Sequence, residues 1–315
     1  MNKASRHPWA KVQQAPRAAA AQPPVTGSAA PTLDARASVT ATIVARLRAA
    51  HQILDDDPKI LVDPVAIGLV PALTEAALRA DTKSLQTPYL RALRASIVMR
   101  SRYVEDMLQL SAASGTRQYV NLGAGLDTFA FRQPPWAQSL TLFEVDHPTT
   151  QRWKQARLRW LGLRAPANLR WCPVNLEAAS LRDGLARAGF DFSAPSCVSW
   201  LGVTQYLSDS AIESTLRFVA SLPRGSSIVL TFVLPESQLG PDARAFRGLS
   251  AQGASSAGEP FVSEFEPAVL ADRLRRTGFS SVFHFTTEAA NRRYFSDRRD
   301  HLRLPGHAEL MWATV

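Results

Sequence analysis

Two glycines and a carboxylate define the chemistry open to this chain. Gly123 and Gly125 close the run Gln118-Tyr-Val-Asn-Leu-Gly-Ala-Gly-Leu-Asp-Thr128, and Asp146 follows Gly123 by 23 residues. Gly-x-Gly is an ordinary turn, or a place where backbone must approach a ligand closely. A carboxylate about 20 residues further on is where a Rossmann-type sheet meets a ribose. Together they suggest a nucleoside-containing cofactor lying across the carboxyl ends of two adjacent parallel strands. The dinucleotide fingerprint wants a third small residue where Thr128 stands. That departure counts against NAD or FAD, whose pyrophosphate crowds a helix N-terminus. It is neutral for S-adenosylmethionine, which carries no phosphate.

Elements of the right kind flank these residues. Tyr119, Val120 and Leu122 form a short continuous apolar run, as a strand buried on both faces requires. Ser139 to Val145 is a second such run and ends in Asp146. Asn168 to Val174, Ser196 to Leu201 and Ser227 to Val233 predict three more strands, and Ser280 to Thr286 and Met311 to Val315 the last two. Helical spacing between them predicts helices over Thr149–Leu163, Ala178–Gly189, Asp209–Ser221 (capped by Asp209) and Pro267–Gly278. Asp127 and Thr128 could cap a helix after the glycines. This alternation reads as α/β.

Before the first strand, Val39, Ile43, Leu47 and Leu54 recur at helical spacing from Ser38. Asp63-Pro64 signals the start of a second helix, through Ala80, and Thr87-Pro88 that of a long third one. The three are expected to cap the cofactor edge of the sheet. Residues 235–262, rich in Gly, Ser, Ala and Pro, read as a mobile, lid-like excursion. Residues 1–36, interrupted by Pro8, Pro16, Pro23, Pro24 and Pro31, read as a disordered tail. The expected division is a helical cap over 37–115 and a core over 116–315.

Val-Asn-Leu-Gly-Ala-Gly-Leu-Asp-Thr-Phe-Ala-Phe-Arg (120–132), Phe-Glu-Val-Asp-His-Pro (143–148) and Gly-Val-Thr-Gln-Tyr-Leu (202–207) occur in order along the chain. In these the chain resembles the leucine carboxyl methyltransferase-like family of class I S-adenosylmethionine-dependent methyltransferases, closest to its bacterial O-methyltransferase branch. The resemblance runs from about Ser38 to Val315. It implies a Rossmann-like, mostly parallel sheet ending in an antiparallel pair, with S-adenosyl-L-methionine as cofactor. It places Arg100 against the cofactor's carboxylate, with Arg46 or Arg48 as a helper, while Gly123, Gly125 and Asp146 are expected to hold its adenosine between two strand ends. It brings Asn175 and Leu176 to the adenine, although the family has Asp where Asn175 stands. Glu177 replaces an arginine of carboxyl-methylating members, which argues against a protein's C-terminal leucine as substrate. Leu201 replaces a cofactor-touching glutamate. Gln205 and Tyr206 would face the substrate; a tyrosine satisfying a backbone carbonyl is the alternative. The reaction implied is O-methylation of a small-molecule hydroxyl or carboxylate. A nicotinamide-dependent oxidoreductase and a catalytically silent binding module are the rivals.

No catalytic base stands out. His147 adjoins Asp146 but is expected to pack beside Pro148, and His301 and His307 read as loop histidines with no metal-ligand partners. Cys172 and Cys197 lie in strand-like segments without a Cys-x-x-Cys, as buried thiols in a reducing, cytoplasmic setting would. The net charge of +9 invites a nucleic-acid partner, but the basic residues are scattered, with no basic helix or stripe. No apolar run approaches the roughly 18 residues of a membrane span. Oligomeric state leaves no mark. Replacing Asp146 by alanine should abolish cofactor binding with the fold intact; unchanged affinity for S-adenosylhomocysteine in calorimetry would refute the ribose role.

Overall fold

The computed structural model describes residues 39–315, so the expected tail lies outside the described residues. Five helices come first: α1 (Val39–Leu54), α2 (Ala66–Leu69), α3 (Glu75–Ala80), α4 (Thr82–Leu85) and α5 (Pro88–Ala113). They are followed by β1 (Gln118–Leu122), β2 (Thr141–Asp146), α6 (Pro148–Trp160), β3 (Leu169–Pro173), α7 (Leu181–Arg187) and β4 (Ser196–Trp200). The chain continues with α8 (Asp209–Ala220), β5 (Ser227–Val233), α9 (Pro241–Ser256), α10 (Pro267–Thr277), β6 (Ser281–Phe285), α11 (Thr287–Tyr294) and β7 (Ala308–Thr314). The seven strands form one sheet in the order β3-β2-β1-β4-β5-β7-β6. β1 to β5 pair in parallel, and β7 runs antiparallel to both β5 and β6. The sheet is therefore α/β and Rossmann-like, with the antiparallel pair at one edge, as expected.

Every position of β1, β4 and β5 is buried, which requires helices on both faces. On one face Leu185 of α7, Leu216 of α8 and Leu274 of α10 pack against Val120, Val145 and Val198. On the other, Val98, Met107 and Leu108 of α5 meet Tyr119, Cys197, Val229 and Phe285. At 26 residues, α5 is about 39 Å long, longer than the sheet is tall. Its C-terminal half leads into β1 and lies on the strands. Its N-terminal half, through Leu90, Leu93 and Ile97, joins Leu47, Leu78 and Leu85 in a separate cluster above the sheet. Arg100 sits where the two halves meet.

A buried ion cluster pins α1 to α5. Asp55 accepts from Arg94 Nε at 2.7 Å and Nη2 at 2.6 Å, and from His51 Nδ1 at 2.7 Å. His51 Nε2 accepts the Ile60 amide at 3.1 Å, so the ring is neutral with its proton on Nδ1.

Several expected elements differ. The helix expected from Asp63 to Ala80 is broken into α2 and α3, because Val70 precedes Pro71 and is extended. Val65, not Asp63, is the N-cap of α2, although Asp63 Oδ1 accepts from Ala66 N at 3.2 Å. No α-helix follows β1. Asp127 accepts from Phe129 N at 2.8 Å, but only 3-10 turns form, at Phe129–Phe131 and Pro135–Ser139, since Pro134 and Pro135 bar a helical ladder. Ser208, not Asp209, caps α8. The supposed mobile stretch 235–262 contains the 16-residue helix α9, anchored by Phe246 and Ala254. β7 begins at Ala308, earlier than Met311, and α11 lies unforeseen between β6 and β7. Cys172 and Cys197 are buried free thiols. Among the described residues no helix is long and apolar enough to cross a membrane.

Asp55→Ala should lower stability by about 3–5 kcal/mol, because it strands the Arg94 charge in a dry interior. Chemical denaturation checks this; a loss below about 1 kcal/mol would mean the cluster does not hold the cap.

Candidate active site

The strand order reverses between β1 and β4, whose neighbours on the far sides are β2 and β5. At such a switch point the crossing helices diverge and leave a crevice beyond the carboxyl ends of the strands. A cavity of about 550 Å³ occupies it, within the range of small-molecule sites. Arg100, Gly123, Gly125, Asp146, Asn175, Leu176, Gln205 and Tyr206 all line it, so the sequence-predicted site residues are gathered in one place.

In-register pairing, Leu122 to Val145, puts the ends of β1 and β2 side by side. Gly123 and Gly125 turn away with φ of 66° and 49°, backbone that side chains rarely adopt. A Cβ on Gly123 would also overlap Val203. The turn brings the Gly125 amide onto Asp146 Oδ2, while the His147 amide donates to Oδ1 at 2.6 Å. Burial raises the Asp146 pKa, and these two amides offset part of the rise. Two backbone donors thus fix the carboxylate without an ion pair, with lone pairs left for a ligand's hydroxyls.

At the next strand end, Asn175 Oδ1 turns back to accept from Glu177 N at 3.1 Å. That commits the oxygen the sequence reading offered to an adenine. The Leu176 amide, by contrast, has no partner among the described residues and remains available. Glu177 does not line the cavity; it accepts from Ser208 N and Oγ at 2.8 and 2.9 Å and holds the loop before α8.

Arg100 enters from α5 and packs on Gly202, whose φ of 67° and missing side chain make room: a Cβ there would fall within 2.8 Å of the guanidinium Cζ. Burial pushes the Arg100 pKa down to about 10, and Arg48 adds to the effect. Among the described residues no hydrogen bond or ion pair answers this guanidinium. Its neighbours differ in this. Arg48 faces Asp63 at 3.1 Å and Asp127 at 3.6 Å and donates to Leu126 O, tying the glycine turn to α1. Arg46 is exposed, pairs with Asp81 and is not part of the cavity wall. Burial alone would raise Asp127, but Arg48 and Arg132 hold its pKa below the usual carboxylate range.

The far wall comes from elements the sequence reading missed. α9 contributes Ser250, Gly253 and Ala254, followed by Glu259 and Phe261. Tyr206 meets Phe261 edge-on at 5.6 Å, and Glu259 accepts from Thr40 of α1. His307, read from sequence as a loop histidine, is 8% exposed and in the cavity wall. It arrives there because β7 is antiparallel to β5, so the start of β7 lies at the carboxyl edge; Leu234 N donates to His307 O at 3.0 Å. No sequence motif marks it. His147 caps α6 through Nδ1 at the cavity rim. Among the described residues no group of three or more His, Cys, Asp or Glu side chains could hold a metal.

The fold is that of class I methyltransferases. A duf574 family protein from Streptomyces avermitilis aligns over 90% of this chain and 99% of its own, with a TM-score of 0.56 and 17% identity. A methyltransferase-like structure from Thermobifida fusca gives the same TM-score at 18% identity, over 90% of this chain and 96% of its own. The leucine carboxyl methyltransferase family model matches residues 41–220, and the chain belongs to that family. A Bacillus subtilis protein assigned to the S-adenosyl-L-methionine-dependent methyltransferases is 34% identical over 212 residues, 64% of this chain and 67% of that protein. A Mycobacterium tuberculosis protein with the same assignment is 35% identical over 202 residues, 61% and 64% of the two chains. The chain thus spans about two thirds of these relatives. It is an S-adenosylmethionine-dependent methyltransferase, and the nicotinamide reading falls.

The cavity fits that cofactor: an unanswered guanidinium, a carboxylate with free lone pairs and a free amide line it together. Gly202→Ala should displace the Arg100 guanidinium and strain the backbone by about 1–2 kcal/mol. We expect S-adenosylhomocysteine affinity to fall about tenfold, equivalent to about 1.4 kcal/mol, in calorimetry on protein that still unfolds cooperatively. Undiminished affinity would show that the Arg100–Gly202 packing is irrelevant to the ligand.

Proposed function

We propose that this enzyme methylates an oxygen, hydroxyl or carboxylate, of a small molecule by in-line displacement. The observation that carries this reading is the unanswered Arg100 guanidinium facing the same cavity as Asp146. Arg100 takes the cofactor's α-carboxylate with a two-pronged donor set. Asp146 accepts from the ribose hydroxyls. The Leu176 amide, beside Asn175, meets the adenine, and Gly123 and Gly125 allow the close approach in between. Bound there, S-adenosylmethionine supplies a methyl group already activated on a sulfonium. The protein's share is alignment and exclusion of water, for which the overhanging α1, α5 and α9 are suited. Gln205 and Tyr206 border the acceptor's side, where burial raises the Tyr206 pKa and keeps the phenol neutral.

The acceptor is a small molecule rather than a protein tail, nucleic acid or membrane component. The enclosing cap supports this. A cytoplasmic location is consistent with two buried, unpaired cysteines. Transfer of labelled methyl to a panel of small hydroxyl and carboxyl compounds, run beside a peptide ending in leucine, tests the class. Labelling of the peptide alone would overturn it.

Arg100→Met should weaken S-adenosylhomocysteine by about 10- to 100-fold, the loss expected of a charged hydrogen-bond pair at about 1.5–3 kcal/mol. Methylthioadenosine lacks the α-carboxylate, so its affinity should stay the same. Equal losses for both ligands would mean Arg100 shapes the cavity without reading the carboxylate.

A further inference from the structure

One polar group in the cavity wall remains unexplained. The His307 ring packs tilted at 48° against Phe246 on α9, centroids 4.6 Å apart; its Nδ1 is closed off without a hydrogen-bond partner, which leaves Nε2 as the nitrogen to meet a ligand in the cavity. Burial, with Arg100 and Arg247 nearby, pushes its pKa down to about 3, so the imidazole is neutral and one ring nitrogen is unprotonated. A core ring with no use for its nitrogens would be cheaper as phenylalanine.

The charges around it limit the ligand it can meet. The cavity wall carries Glu105, Asp127, Asp146 and Glu259 against Arg48 and Arg100. Arg48 is engaged by Asp63, Asp127 and the Leu126 carbonyl, and Arg247 by Glu236 and Glu264. Once Arg100 holds the cofactor's carboxylate, no uncommitted guanidinium of the described residues lines the cavity. A carboxylate acceptor would be desolvated beside Glu259 with no protein cation to receive it. A neutral hydroxyl carries no such penalty, but it does need an acceptor for its proton.

We propose that His307 accepts the hydrogen of the acceptor's hydroxyl, and that the acceptor is therefore an alcohol or phenol rather than a carboxylic acid. This rests on the methyl-donor site described above. As the oxygen–carbon bond forms, the carbon–sulfur bond breaks and its electron pair stays on sulfur, which becomes a neutral thioether. The hydroxyl proton passes to His307 Nε2, and from the imidazolium to water when product leaves. A weakly basic imidazole suffices, because a hydroxyl gaining a methyl group becomes far more acidic than the imidazolium.

The test uses the full chain with labelled S-adenosylmethionine and a library of paired phenols and benzoates that differ only in the accepting group. Nitrogen-detected NMR of the histidines runs in parallel, with S-adenosylhomocysteine bound and each phenol added at millimolar concentration. The phenols should be labelled at least tenfold faster than their benzoate partners, and phenol binding should move the His307 ring signals, identified by their absence from His307→Phe. In His307→Phe, turnover should fall at least 100-fold with S-adenosylhomocysteine affinity within threefold of wild type. His307→Gln, which keeps an acceptor atom, should recover part of it. Faster labelling of benzoates, turnover of His307→Phe within threefold of wild type, or a library that neither reacts nor moves the His307 signals would each overturn the proposal. Failure of S-adenosylhomocysteine to bind wild type would instead remove the donor site, and this inference with it.

Discussion

The contact on which the site depends is the hydrogen bond from the Gly125 amide to the Asp146 carboxylate. It exists because β1 and β2 are parallel neighbours in register, so two turns far apart in sequence leave the sheet at the same height. A carboxylate in so dry a place pays heavily for its charge, and nothing cationic is hydrogen-bonded to it. Backbone amides, the Gly125 and His147 donors, stabilise it instead and fix its direction. An arginine in their place would have pulled the carboxylate into an ion pair and used up the lone pairs that a ribose needs. The positive φ at Gly123 and Gly125 belongs to the turn that delivers that amide to that oxygen.

The cap obeys the opposite rule. There, charges are buried in pairs: Arg94 with Asp55, Arg48 with Asp63 and Asp127, Arg132 with Glu105. Buried ion pairs add little net stability but make any unpaired arrangement costly, so they fix the placing of α1 against α5 and of both against the glycine turn. Against that background the isolation of Arg100 has meaning. It lies on the same helix as Arg94, six residues along, yet no carboxylate is provided for it. On the proposed reading, a ligand bearing one completes the set.

The donor half of the site was legible because its chemistry is local. Gly123, Gly125 and Asp146 are each the last feature of a strand, and a strand buried on both faces declares itself by a continuous apolar run. Arg100, Asn175, Gln205 and Tyr206 entered through the family motif, not through periodicity. Where reading failed, the cause was a competing local signal. Pro71 broke a helix that the apolar spacing supported, and Pro134 and Pro135 removed one that Asp127 was placed to cap. α9 was hidden by its glycines and by having just two buried anchors, although Gly240-Pro241 is a fair start signal. Its stability comes from tertiary contact, including Tyr89 against Phe246 at 4.9 Å, which no window of sequence contains.

His307 was illegible for a deeper reason, and the reason bears on what kinship can tell. Only the antiparallel return of β7 carries that residue to the carboxyl edge, so its place depends on strand order and not on neighbours in the chain. The family model spans residues 41–220, which hold every group assigned to the donor, from Arg100 to Leu176, and also Gln205 and Tyr206 on the acceptor's side. α9, Glu259, Phe261 and His307 all lie beyond that span. Apart from Gln205 and Tyr206, the acceptor side of the cavity thus comes from a part of the chain that the family model does not span. On the proposal made above, this chain keeps the cofactor grip of a family named for carboxyl methylation while the groups facing the acceptor, His307 and Glu259 among them, receive a hydroxyl.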